Sequence, residues 1–229
     1  MVVIGHRGAA GYEPENTLRS FKRAIDMGVD MIECDVHLCK TGELVVIHDA
    51  MVGRTTNGKG AVIEKTFDEL RSLDAGSGEH IPNLREVLAL IRGKAKINIE
   101  LKGESTAVPV AKLLSAEIAR GNWKNSDLSV SSFDLRELKS FHNEAPDIPV
   151  AAIVLHPPIN LSRVLALGVY SLHACEKFVT KSFVARAHKA GLGVYAWTVN
   201  EPDQIAKMFE LGIDGIFSDF PDMVRAKIN

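Results

Sequence analysis

Short apolar runs alternate along the chain with stretches whose apolar positions recur every three to four residues, the spacings of buried strands and of helices packed on one face. The runs at 2–4, 31–38, 97–101, 128–131, 150–153, 169–172, 193–197 and 215–217 read as strands. The helical stretches between them fall at 15–27, 84–91, 106–120, 135–144, 161–166, 181–190, 202–211 and 221–228. In the first, Leu18, Phe21, Ala24 and Ile25 form the apolar stripe, Pro14 opens the helix and Gly28 stops it. The run 44–47 follows a Lys40-Thr41-Gly42 turn, so it returns antiparallel to 31–38. Residues 50–77 are Gly-rich and polar, with one helical piece near 66–72.

Eight strands with intervening helices predict a (β/α)8 TIM barrel, with a small insertion after the second strand at about 49–78 lying over the active face. An open doubly wound sheet shows the same alternation, and periodicity alone does not separate the two. With 229 residues and no linker or low-complexity tract, one domain over 1–229 is expected.

Composition narrows the function classes. Apolar residues make up 46% and charged residues 24%, and the net charge is −2, with Lys and Arg scattered. Nothing here predicts a nucleic-acid partner or an acidic membrane surface. Cys34, Cys39 and Cys175 are odd in number and form no Cys-x-x-Cys, so reduced thiols are expected. The opening residues run into a strand without the basic and apolar segments of a signal peptide. No apolar stretch reaches the roughly 18 residues of a membrane span, and a cytoplasmic protein is expected.

In a barrel, reacting groups gather at the C-terminal ends of the strands. Glu33 and Asp35 lie two apart on one strand and so share a face, and Glu100 and Lys102 repeat that spacing on a neighbouring one. Three converging carboxylates would repel one another and be costly to desolvate without a cation, and oxygen ligands favour Mg²⁺ or Ca²⁺. His6 and His48 each stand at a strand end beside a charged residue and are the candidate proton carriers. His142, His156, His173 and His188 are expected to be structural, and His37 to lie behind the acids or at the surface. Arg7 and Lys102 could hold phosphate oxygens, pair with the acids, or do both. Trp197 is either a core residue or an apolar wall for the substrate. Asn57-Gly58-Lys59-Gly60 lacks Walker spacing and reads as a turn.

A set of short strings then gives a resemblance. They are His6-Arg7-Gly8, Pro14-Glu15-Asn16-Thr17, Glu33-Cys34-Asp35, Gly42 with Val45-Val46-Ile47-His48-Asp49, and Arg54-Thr55-Thr56-Asn57-Gly58-Lys59-Gly60. Ile81-Pro82-Asn83-Leu84, Asn98-Ile99-Glu100-Leu101-Lys102, Trp197-Thr198-Val199-Asn200 and Asp214-Gly215-Ile216-Phe217-Ser218-Asp219 complete it. In this order they resemble the glycerophosphodiester phosphodiesterase family over essentially the whole chain. Departures are small: Thr41 replaces a commoner Asp, and Ser218 stands where Thr is frequent. The resemblance implies a TIM barrel with a divalent metal on Glu33, Asp35 and Glu100. It also implies that His6 and His48 are acid and base, and that Arg7 and Lys102 meet the phosphate. The expected products are sn-glycerol 3-phosphate and an alcohol. A lysophospholipase D-like enzyme acting on lipid is the alternative. A binding-only barrel would be expected to have lost His6, His48 or a metal ligand, and all are present. The preferred alcohol, the choice of metal and the oligomeric state stay open at this level.

Overall fold

The computed structural model describes residues 1–155 and 160–228. Eight parallel strands close on themselves. β1 (Val2–Gly5) pairs with both β2 (Met31–Leu38) and β9 (Gly215–Ser218). β4 (Lys96–Leu101), β5 (Leu128–Ser132), β6 (Val150–Val154), β7 (Ser171–Cys175) and β8 (Gly193–Trp197) complete the ring. β3 (Leu44–Val46) lies antiparallel on the end of β2, outside the ring. The β1–β2 pairing decides between the two architectures, because an open doubly wound sheet would leave both edges unpaired. The fold is a (β/α)8 barrel.

Helices α1 (Leu18–Asp26), α3 (Leu84–Ile91), α4 (Ala107–Ala119), α5 (Leu135–Glu144), α6 (Leu161–Leu165), α7 (Lys181–Lys189) and α8 (Pro202–Glu210) connect the strands, and α9 (Pro221–Ile228) follows the last of them. α2 (Phe67–Arg71) lies in the excursion after β3 and is opened by a capping box between Thr66 and Glu69. The excursion has a small core of its own, in which Val52, Val62, Leu70 and Ala75 pack with Val45, Ile47 and Ile81. Met51 and Ile63 remain exposed.

Two elements differ from the pattern-based expectation by more than one residue at an end. α1 starts at Leu18 rather than at 15, because Asn16 takes a left-handed backbone (φ 58°) and the Thr17 hydroxyl caps the helix by accepting from the Ser20 amide. Leu18 and Ile25 are only half-buried, whereas Phe21 and Ala24 are buried fully. β7 runs over Ser171–Cys175 rather than 169–172. Its register against β6 and β8 sets Ser171 opposite Ala151 and Gly193 and carries the strand through His173, a polar residue at which an apolar run would be read as ending. His156 lies outside the described residues.

Candidate active site

Parallel register places Asp35 opposite Glu100 and Glu33 opposite Asn98 across β2 and β4. Glu33 and Asp35 point the same way, since Cys34 between them belongs to the outer core. The three carboxylates offer oxygens that all lie within 4.8 Å of one another. They are almost withdrawn from water, yet Glu33 Oε1 and Asp35 Oδ1 have no hydrogen-bond partner. Burial, then the neighbouring Asp35 and Glu100 charges, push the Glu33 carboxyl well above the usual range. Burial, then Asp35, push Glu100 up to about 7. Such a site must bind protons or a cation, and its all-oxygen donor set with two orphaned buried carboxylate oxygens fits a hard divalent ion.

Two cations partly offset this charge. Lys102 Nζ lies 2.8 Å from Glu100 Oε1 and 3.8 Å from Asp35 Oδ1. Burial pulls the Lys102 pKa down, but Glu100 and Asp35 outweigh it and leave the ammonium more firmly charged than usual. Arg7 follows β1 with a positive φ of 52°, a costly conformation for a side chain of this size. Three hydrogen bonds hold it there. Its amide donates to Glu33 Oε2 (2.8 Å), and its carbonyl accepts from the Ser20 hydroxyl (2.9 Å) and the Asn16 amide (3.1 Å). Gly8 completes the turn at φ 90°, where a Cβ would stand 2.4 Å from Ser20 Oγ. The guanidinium Nη1 donates to Glu15 at 2.8 Å, and Nε stands 3.4 Å from Asp35 Oδ2.

His6 and His48 each rest a ring nitrogen on a carboxylate. His6 Nδ1 meets Asp219 Oδ1 at 2.7 Å, and His48 Nδ1 meets Asp49 Oδ1 at 2.5 Å. A carboxylate only accepts, so Nδ1 carries the proton in both rings and Nε2 is the nitrogen left to exchange one. Burial lowers the His48 pKa, favouring a neutral ring that can accept a proton. Burial works against the Asp219 charge, but the hydrogen bonds from His6 and Asn200 and the positive charge of Arg7 together outweigh it and hold that carboxyl low. Asn200 steadies Asp219 through its side-chain amide at 2.7 Å.

His6, Arg7, Glu33, His48, Glu100, Lys102 and Trp197 line one cavity of about 270 Å³. Asp35 sits beneath it, sealed from solvent. Trp197 is half-buried; its indole Nε1 donates to the His173 carbonyl (2.9 Å) and its ring meets Phe133 edge-on at 5.8 Å. His37 is buried and donates from Nε2 to the His48 carbonyl at 3.0 Å, so it supports the loop that carries His48. His173 is also buried, between Tyr195 and Phe217, and burial pulls its pKa down to about 3. It fits the structural expectation, although it also lines the cavity floor.

Residue type and spacing along the chain point to no role for Glu15, Asn16, Arg54, Asn200 or Asp219. Asn16 donates to Asp35 Oδ2 (2.8 Å), Asp219 supports His6, and Arg54 reaches both Glu15 and Asp49. Their signal was present only as membership in the short strings. Each acts through a contact across 5 to 213 positions of sequence, which no spacing rule reveals.

The model of the glycerophosphoryl diester phosphodiesterase family matches residues 6–223. The chain belongs to this family. A glycerophosphodiester phosphodiesterase of Bacillus altitudinis is 38% identical over 233 residues, covering 96% of this chain and 95% of the relative. The glycerophosphodiester phosphodiesterase of Caldanaerobacter subterraneus subsp. tengcongensis is 37% identical over 233 residues, covering 96% and 95%. Among solved structures, an Oleispira antarctica phosphodiesterase in complex with the product sn-glycerol-3-phosphate superposes with a TM-score of 0.91 at 32% identity, covering 100% of this chain and 96% of the other. Family membership makes the chain an enzyme, a glycerophosphodiester phosphodiesterase.

Proposed function

We propose that the enzyme hydrolyses small glycerophosphodiesters to sn-glycerol 3-phosphate and an alcohol, with one divalent cation, Mg²⁺ or Ca²⁺, held by Glu33, Asp35 and Glu100. When bound, that cation would neutralise charge on the phosphoryl oxygens. Arg7 and Lys102 draw the phosphate into the cavity and fix its orientation. The glycerol 2-hydroxyl lies close to phosphorus within the substrate, so its attack is intramolecular and favoured by proximity. His48 Nε2 takes the hydroxyl proton as the new P–O bond forms. His6 gives its Nε2 proton to the departing alcohol oxygen as the old P–O bond breaks. In the second half the roles exchange. His6 takes a proton from water, whose oxygen attacks the cyclic phosphate, and His48 returns its proton to the 2-oxygen. Trp197 forms the wall against the carbon part of the substrate. The observation that carries this reading is that both histidines, each backed by a carboxylate through Nδ1, open onto the cavity above the carboxylate trio.

The test is release of glycerol 3-phosphate from glycerophosphocholine, compared with a substrate lacking the 2-hydroxyl. Turnover of the deoxy substrate at the normal rate would sink the cyclic intermediate. A cytoplasmic location and a role in recycling deacylated phospholipid head groups belong to the same reading. No helix among the described residues is long and apolar enough to cross a membrane.

A second reading, lysophospholipase D-like cleavage, is favoured by one feature. Phe133 (46% exposed) and Leu155 (52% exposed) follow β5 and β6 at the cavity's side of the barrel. Choline release from lysophosphatidylcholine at a rate matching that from glycerophosphocholine would establish it.

A further inference from the structure

Arg54 stands in the excursion, in the short turn 52–54, outside the cavity lining. Its one guanidinium bridges two carboxylates. Nε and Nη2 donate to Asp49 at 2.5 and 3.2 Å, and Nη1 and Nη2 donate to Glu15 at 2.8 Å each. Each carboxylate has a second partner facing the cavity. Asp49 accepts from His48 Nδ1, and Glu15 accepts from Arg7 Nη1. A single side chain of the excursion therefore stands behind groups on two different barrel loops.

We propose that Arg54 is a positioning residue for the reaction, locking the His48 ring through Asp49 and the Arg7 fork through Glu15. The inference rests on the roles given above to His48 and Arg7. A planar fork with donors on two edges suits this task, because it dictates where each carboxylate stands relative to the other, which a point charge does not. The stability gained from such half-exposed pairs is small and screened by salt. The quantity at stake is geometric, since displacing a reacting group by about 1 Å can cost a hundredfold in rate.

The two arms predict separable kinetic effects. Asp49→Asn loosens His48 and lowers kcat about tenfold, with the affinity for inorganic phosphate nearly unchanged. Glu15→Gln loosens Arg7 and weakens phosphate binding about tenfold, with a smaller effect on kcat. Arg54→Gln does both. Added to Asp49→Asn it lowers only phosphate affinity further, and added to Glu15→Gln it lowers only kcat further. Arg54→Lys keeps the charge but cannot span both carboxylates, so it restores at most one arm. The measurements are kcat, KM and phosphate inhibition on each variant, with a melting curve to show that it folds. A lowered melting temperature with kcat and phosphate affinity within twofold of the parent would overturn the proposal. So would full recovery of both arms by Arg54→Lys, or simple additivity in the double variants. His48→Ala run alongside keeps the underlying reading separate. Retained turnover there would overturn the acid–base role and the kcat arm with it, while the phosphate arm is decided by its own titration.

Discussion

In β4, Ile97, Ile99 and Leu101 pack outward into the large core beneath the helices, whereas Asn98 and Glu100 between them turn toward the barrel axis. β2 repeats the contrast, with Ile32, Cys34 and Val36 outward and Glu33 and Asp35 inward. The outer layer joins every barrel strand to its helices through aliphatic contacts, and almost any aliphatic set of the right volume would serve it. The inner layer is polar to an unusual degree for a barrel core. Asn98 donates to the Ser131 hydroxyl at 2.8 Å and accepts from Ser129 at 3.0 Å, and on β7 Ser171 and His173 are buried with unpartnered side-chain atoms. One strand thus serves two ends on alternate residues. Its outward positions hold the fold, and its inward positions give up packing energy to build a charged cavity.

That contrast can be broken at several points. Stripping divalent cations with a chelator is expected to abolish glycerol 3-phosphate release, and Mg²⁺ or Ca²⁺ to restore it. Full activity in the metal-stripped enzyme would remove the carboxylate trio from the chemistry. His6→Ala and His48→Ala should each lower kcat by about a hundredfold or more with the melting temperature little changed. Near-normal turnover in either variant would end that residue's role. The outward-facing Ile99→Ala should do the reverse, costing about 2–5 kcal/mol of stability by leaving a cavity, with kcat per folded molecule preserved. Denaturant unfolding with active-site titration measures both, and a large kcat loss would show that the two faces are not separable.

Smaller effects sharpen the picture. In the cation-free protein Glu100 holds its proton up to about pH 7, against an ordinary value of 4.5. The folded state therefore binds this proton more tightly than the unfolded chain. The carboxyl is tolerated at low pH and becomes a cost as pH rises from about 4.5 through about 7. Cation-free Glu100→Gln should accordingly gain melting temperature over the parent as pH rises across that window. A difference that stays flat with pH would mean that the carboxyl is not strained by burial. Least of all, Trp197→Ala should raise KM several-fold with kcat nearly kept, if the ring is a wall for substrate. Unchanged KM with a lower melting temperature would make it a core residue.

The alternation of apolar runs was enough to place the barrel strands and the helices between them, because each element buries a face whose period is written locally. At the start of α1 and over the span of β7 that pattern was not enough, and the deciding facts were a left-handed Asn16 with its Thr17 cap and a hydrogen-bonded register with β6 and β8. The proposed site was legible in the same way. Glu33 and Asp35 share a face by spacing alone, and His6 and His48 are flagged by their places at strand ends.

What the chain by itself determined was the repeat, the strand faces and the residue types offered at each strand end, all of which follow from short-range geometry. Only the tertiary structure decided that the sheet closes through β1 and β2 and that Asp35 lies under the cavity rather than in its wall. It also decided that Asp219, Asp49, Glu15 and Arg54 stand behind the lining groups. Those relations depend on distances between residues far apart in sequence, and such distances exist only once the barrel has closed.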